Sequence, residues 1–201
     1  MTAGMAGYGL IAVGVSAGGL FALRTLVAAL PAGFDIPIAV VQHRSKDSEA
    51  LCELLQECTP LTVGEANDKE PVQPGRVYVA APDYHLLVER GYFVLSVDEP
   101  VRYSRPSIDV MFASAADAYG ADVIGIVLTG ANADGSRGLQ KIVQRGGYAI
   151  VQDPATAEVK VMPQSALKAV PGACVLPLER IGPHLAAIRG RAVPPCRAVH
   201  A

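Results

Sequence analysis

Short, unbroken apolar runs that alternate with helix-spaced segments constrain this chain more than any other feature. G-L-I-A-V-G (9–14), I-P-I-A-V-V-Q-H (36–43), D-V-I-G-I-V-L-T-G (122–130), Y-A-I-V-Q (148–152) and A-C-V-L (173–176) each read as a strand. The first shows no polar alternation at all, as expected of a parallel strand covered on both faces. Helices are predicted over 20–30, stopped by Pro31 and Gly33, and up to about Glu57, capped by Asp47 or Ser45. Further helices are predicted from Pro106-Ser107 to about Tyr119, over Gly135 to Arg145, over Gln164 to Ala169, and over Glu179 to Ile188. Leu61 to Val63 reads as a short strand, and the P-G pair at 74–75 turns the chain into R-V-Y-V-A-A (76–81). One segment breaks the pattern. H-L-L-V-E-R-G-Y-F-V-L-S-V (85–97) has two β-rich halves around E-R-G and reads as an antiparallel hairpin. The expected fold is α/β: a doubly wound, mostly parallel sheet with helices on both faces and a hairpin insertion near the functional edge. Residues 1–190 form one domain, and 191–201 read as a flexible tail.

Composition removes several function classes. Hydrophobic residues make up 51% of the 201 positions and charged ones 18%, so the chain can build an ordinary core. A net charge of −2, no Trp and 5% aromatic residues offer neither a basic groove nor stacking platforms for nucleic acid. Residues 9–30 are nearly all apolar, but no Lys or Arg precedes them, Arg24 interrupts them, and glycines break them. They read as a buried strand and helix, so no membrane insertion is expected and the chain is placed in the cytoplasm. Cys52, Cys58, Cys174 and Cys196 show no C-x-x-C spacing and are read as free thiols in a reducing compartment. No metal and no cofactor is expected, because His85, His184 and His200 show no ligand spacing.

In open α/β sheets ligands bind beyond the carboxyl ends of the strands. Ser16 follows the first strand, in G-V-S-A-G-G (14–19), and three readings compete for it. A dinucleotide turn fails because the second glycine of G-x-G-x-x-G is missing and the next strand ends in Gln42-His43 rather than an acid. An activated nucleophile fits G-x-S-x-G, with small neighbours that permit a tight turn and a helix N-terminus aimed at developing negative charge. An ordinary strand-to-helix connection would leave the other strand ends unexplained. A serine needs a base, and His43 ends the second strand, one strand spacing away if the two pair. The imidazole needs a carboxylate, and Asp134 lies in the turn after I-V-L-T-G. Asp134 also suits a helix N-cap, and Asp109 and Asp83 are rivals in less favourable positions.

With these residues placed, the sequence resembles the catalytic domain of the CheB-type protein-glutamate methylesterases. The blocks that carry it are I-A-V-G-V-S-A-G-G (11–19), V-V-Q-H (40–43), V-Q-P-G-R-V-Y-V-A-A-P-D-Y-H (72–85), S-R-P-S-I-D-V-M-F (104–112), V-L-T-G-A-N-A-D-G (127–135) and Q-D-P-A-T-A with M-P-Q-S-A (152–166). The resemblance implies a Ser16–His43–Asp134 triad acting on glutamate γ-methyl esters of a methylated chemoreceptor, whose acidic helix is the partner. It also implies glutamine deamidation by the same acyl-enzyme route. Oxyanion and substrate contacts are assigned to Ala17, Gly18, Ala131, Arg44, His85 and Arg105, with Arg102 as a further guide for an acidic helix. Two stretches depart from the family: Ala17 stands where Thr is usual, and Ala131-Asn132-Ala133 replaces the usual M-G turn before Asp134. Regulated members carry a receiver domain ahead of the esterase; with a first strand near Gly9, none is expected here. The alternatives are a serine hydrolase for another ester or amide, and a non-catalytic module that docks on receptors.

Overall fold

The structure, a computed structural model, describes residues 7–43, 50–188 and 190–196. Nine strands are present among them: β1 (Leu10–Val15), β2 (Ile38–Gln42), β3 (Thr62–Glu65), β4 (Arg76–Val79), β5 (His85–Glu89), β6 (Tyr92–Ser96), β7 (Val123–Val127), β8 (Tyr148–Gln152) and β9 (Cys174–Leu176). Seven of them form one sheet in the order β3-β4-β2-β1-β7-β8-β9, and each neighbouring pair is parallel. β5 and β6 make a separate antiparallel pair joined across Arg90 and Gly91. The chain leaves β1 toward β2 and β4, then returns to place β7 on the other side of β1. That reversal opens a crevice at the carboxyl ends of the central strands.

The apolar runs follow from the layering. All six residues of β1 and all five of β7 are buried, because each strand has a neighbour on either side and helices on both faces. On one face Ile11, Val13 and Val15 pack with α1 (Gly19–Ala28), α2 (Leu51–Gln56) and α6 (Leu178–Ala186). On the other, Leu10 and Ala12 pack with α3 (Ile108–Tyr119), α4 (Ser136–Gln144), α5 (Val161–Ala169) and the hairpin. On this second face the central strands carry small residues, Ala12, Gly14 and Gly125, beneath the helices. A Cβ on Gly14 would overlap Ile108, and one on Gly125 would lie 2.7 Å from Leu139 and Ile142. Only this lack of bulk lets the first turn of α3 settle over the carboxyl end of β1.

Two expectations are corrected. α5 begins at Val161 rather than Gln164, which puts Pro163 in the first helical turn, where its missing N–H leaves no intrahelical bond unmade. Cys174 and Cys196 are not free thiols but a disulfide, closing a 22-residue separation between β9 and the segment after α6. Arg191 in that segment donates to the carbonyl of Ala121 at 3.3 Å and pairs with Asp122. The proposed caps Ser45 and Asp47 lie outside the described residues. No helix among the described residues is long and apolar enough to cross a membrane.

Candidate active site

Three chain segments meet at the rim where β1, β2 and β7 end. Val15 pairs with Gln42 in register, so Ser16 and His43 emerge side by side, and the His43 N–H donates to the Val15 carbonyl at 3.1 Å. Ser16 is half-buried. Its N–H donates to the Thr129 carbonyl at 3.0 Å, and its carbonyl accepts from the Gly19 N–H at 2.9 Å, which closes the turn. Gly18 caps α1 with φ 75°, a left-handed conformation that favours glycine, and a Cβ there would lie 2.8 Å from the Glu158 side chain. The N–H groups of Ala17 and Gly18 meet no acceptor among the described residues and sit at the positive end of α1.

His43 is held from both ring nitrogens. Nε2 lies 2.9 Å from Asp134 Oδ2, and Nδ1 lies 3.2 Å from the Asn132 side-chain nitrogen. An ionised carboxylate can only accept, so Nε2 carries the proton and Nδ1 presents its lone pair. No hydrogen bond joins the Ser16 hydroxyl to the ring in this state. The two residues are neighbours on strands about 5 Å apart, and catalytic hydrogen bonds of this kind often tighten only with substrate in place.

Asp134 is 1% exposed and accepts five hydrogen bonds. Its Oδ1 takes Ser107 Oγ (3.0 Å), Asp109 N–H (2.9 Å) and Gly135 N–H (3.0 Å); its Oδ2 takes Ile108 N–H (2.7 Å) and His43 Nε2. The carboxylate therefore caps α3 from a distant loop while orienting the imidazole, and Ser107 makes no cap bond with its own helix. Burial pushes the Asp134 pKa up. The hydrogen bonds from His43, Asp109 and Ile108 outweigh it and hold the carboxyl below its ordinary value. Of the rival acids, Asp109 instead accepts from the Gly138 N–H of α4 at 2.8 Å, and burial, reinforced by the charge of Asp134, raises its pKa. Asp83 occupies a turn residue of positive φ between β4 and β5.

The remaining candidates divide. Ala131 is exposed at the rim, and its N–H has no acceptor among the described residues, whereas the Gly130 N–H is taken by the Val159 carbonyl at 3.0 Å. Arg105 lines a cavity of about 160 Å³ together with His43, Tyr103, Ser104 and Pro106. Its guanidinium is tied to the carbonyls of Val97 (2.9 Å) and Asp98 (3.1 Å). His85 does not face this cavity. It is 1% exposed, with Nε2 near the Glu99 carbonyl and Nδ1 accepting from the Ser107 N–H at 3.2 Å. As a substrate contact it is corrected: it buttresses the start of α3 because the hairpin packs against that helix. Arg44 lies outside the described residues. Three side chains at the site escape sequence reasoning. Ser107 shows only as a helix start and Asn132 only as a turn residue. Tyr103, fully exposed at a two-residue turn where it and Arg102 both have positive φ, gives no sequence signal at all.

Comparison with known proteins places these features in company. The family model described as CheB methylesterase matches residues 11–185. A Leptospira interrogans protein, provisionally named a protein-glutamate methylesterase/protein-glutamine glutaminase, is 47% identical over 176 residues, 87% of this chain and 91% of its own length. A Burkholderia lata protein-glutamate methylesterase/protein-glutamine glutaminase is 40% identical over 190 residues, 93% of this chain but 57% of its own length. The crystal structure of the Thermotoga maritima CheB methylesterase catalytic domain superposes with a TM-score of 0.85 at 34% identity, covering 89% of this chain and 97% of that one.

Proposed function

The chain belongs to the CheB methylesterase family, and from that premise we propose that it hydrolyses glutamate γ-methyl esters on a chemoreceptor-type protein, with Ser16, His43 and Asp134 as its catalytic triad. The observation that carries this reading is the 2.9 Å pairing of His43 with a buried, multiply bonded Asp134 at a strand end abreast of Ser16. As substrate enters, the Ser16 hydroxyl closes on His43 Nδ1. The ring takes the proton while Oγ attacks the ester carbonyl carbon. The N–H of Ala17, with that of Ala131 across the rim, donates to the oxyanion; one such donor is worth about 3 kcal/mol. The C–O bond to the methoxy group breaks, and methanol leaves with the proton from Nδ1. Water then enters, gives its proton to Nδ1, and attacks the acyl carbon. Ser16 departs with that proton, and the product is a free glutamate side chain. Asp134 stays ionised throughout and stabilises the transient imidazolium.

A glutamine side chain can follow the same route, with ammonia leaving in place of methanol. The names of the relatives, which pair methylesterase with glutaminase, favour this second activity. The substrate is an acidic receptor helix, toward which Arg102 and Arg105 supply long-range attraction.

The test is methanol release from methylated receptor membranes by the wild-type chain and by Ser16→Ala. Release abolished by the substitution supports the proposal. Hydrolysis of other esters alone indicates a different substrate, and receptor binding with no ester hydrolysis indicates a docking module.

A further inference from the structure

Asn132 touches the proposed general base from the side opposite Asp134, and which of its amide atoms faces the ring is fixed by its other bond. Its Oδ1 accepts the Asp134 N–H at 3.0 Å, which only an oxygen can do. The amide nitrogen must then be the atom that faces His43 Nδ1 at 3.2 Å. An amide N–H can bond only an unprotonated ring nitrogen. Asp134, an acceptor, and Asn132, a donor, therefore select the same neutral tautomer from opposite edges of the ring. The lone pair that Ser16 needs is meanwhile occupied by Asn132, which accounts for the absence of a bond between the Ser16 hydroxyl and the ring.

We propose that Asn132 is a positioning residue for His43: it keeps Nδ1 unprotonated and in plane in the resting enzyme, and yields that nitrogen to the Ser16 hydroxyl when substrate engages. This inference rests on the triad reading. The proton balance is closed. When Nδ1 takes the Ser16 proton, two donors face each other, so the amide turns aside. When the proton leaves with methanol, the lone pair returns and the amide bonds it again.

The alternative is a purely local role, in which Oδ1 merely closes the turn onto the Asp134 N–H. The two roles part at the imidazole: a purely local role leaves the His43 tautomer and the surroundings of Nδ1 unmoved when the amide is removed, and the positioning role does not. Asn132→Asp keeps the turn acceptor, and Asp suits such turns as well as Asn does. It also places a second acceptor against Nδ1, so the ring sits between two carboxylates, holds protons on both nitrogens and cannot accept one from Ser16. Asn132→Ala loses the turn bond but leaves Nδ1 open to Ser16.

The experiment measures kcat for methanol release from methylated receptor membranes, together with melting midpoints, for wild type, Asn132→Ala, Asn132→Asp and Ser16→Ala. The expected result is a fall of at least about 100-fold for Asn132→Asp and less than about tenfold for Asn132→Ala. Near-wild-type turnover in Asn132→Asp overturns the proposal, as does an Asn132→Ala loss equal to that of Asn132→Asp. ¹⁵N NMR of histidine-labelled wild type and Asn132→Ala separates the two roles, whether or not the aspartate variant folds. Neutral His43 must be protonated at Nε2 alone, and its Nδ1 resonance must shift on Asn132→Ala; protonation at Nδ1, or an unmoved resonance, refutes it. Methanol release that survives Ser16→Ala removes the triad reading itself. Loss in Ser16→Ala with full activity in Asn132→Asp removes only this inference.

Discussion

Replacing Asp134 by Asn should damage stability and catalysis together, because one carboxylate serves both. An Asn side chain can keep its oxygen toward Ser107, Asp109 and Gly135. Its NH₂ then falls where Oδ2 accepts the Ile108 N–H at 2.7 Å and meets His43 Nε2 at 2.9 Å. The Ile108 N–H, buried at the first turn of α3, loses its acceptor and faces another donor. An unsatisfied buried donor costs about 1–3 kcal/mol, and loss of the negative charge from a helix N-terminus adds about 0.3–1 kcal/mol. The combined loss is about 1.3–4 kcal/mol, and at about 2–4 °C per kcal/mol for a chain of this size the melting midpoint falls by about 3–16 °C. Catalysis falls further. The new amide donates to Nε2, the proton moves to Nδ1, and the base facing Ser16 is gone; the corresponding exchange in a serine triad costs about 10⁴ in kcat. His43→Ala separates the two effects. It removes the base but leaves Asp134 its four bonds to Ser107, Ile108, Asp109 and Gly135, so activity is lost with a midpoint change well below that of Asp134→Asn. The assays are a thermal melt at neutral pH and methanol release. An Asp134→Asn protein melting within about 2 °C of wild type, or equal destabilisation by His43→Ala, would refute the dual role.

Acid should act on the same carboxylate. Its pKa in the fold lies below the unfolded value, so its stabilisation is complete above about pH 4 and is lost as pH falls through the folded-state pKa. Asp134→Asn should flatten this limb of the stability profile; an unchanged limb sinks the assignment. Asp109 has the opposite sign, since burial raises its pKa, so Asp109→Asn should improve stability most at pH values above that raised pKa, provided the bond to the Gly138 N–H is kept. Gly130→Ala should cost about 1–3 kcal/mol, because the new methyl overlaps Met162 and lies 2.9 Å from Ser16 Cβ. Met162 can yield but the Ser16 backbone cannot, so kcat should drop as well, and a fully active variant would show that the rim has slack. Thiol titration of the denatured, unreduced chain should count two reactive cysteines, Cys52 and Cys58, and four after reduction; four before reduction means that the disulfide does not form.

The sequence alone determined the elements and the kind of chemistry. Continuous apolar runs mark strands covered on both faces, because burial on two sides leaves no polar position to alternate. Ser16 and His43 are legible as candidates because each ends such a strand, and the glycines around Ser16 report a tight turn through local backbone geometry. What depends on strand order was legible only as a choice among candidates. Asp134 stands out from Asp109 and Asp83 by its turn after an apolar strand, but it lies 91 residues from His43 and reaches it only because β7 lies beside β1 and the small residues Gly14 and Gly125 admit α3 and α4 close to the sheet. The same long-range packing buries His85 behind α3, turns the Asn132 amide onto the imidazole and joins Cys174 to Cys196. Periodicity and turn chemistry are short-range properties written residue by residue. Hydrogen bonds across the sheet rim are not: they exist only once distant strands have chosen their neighbours.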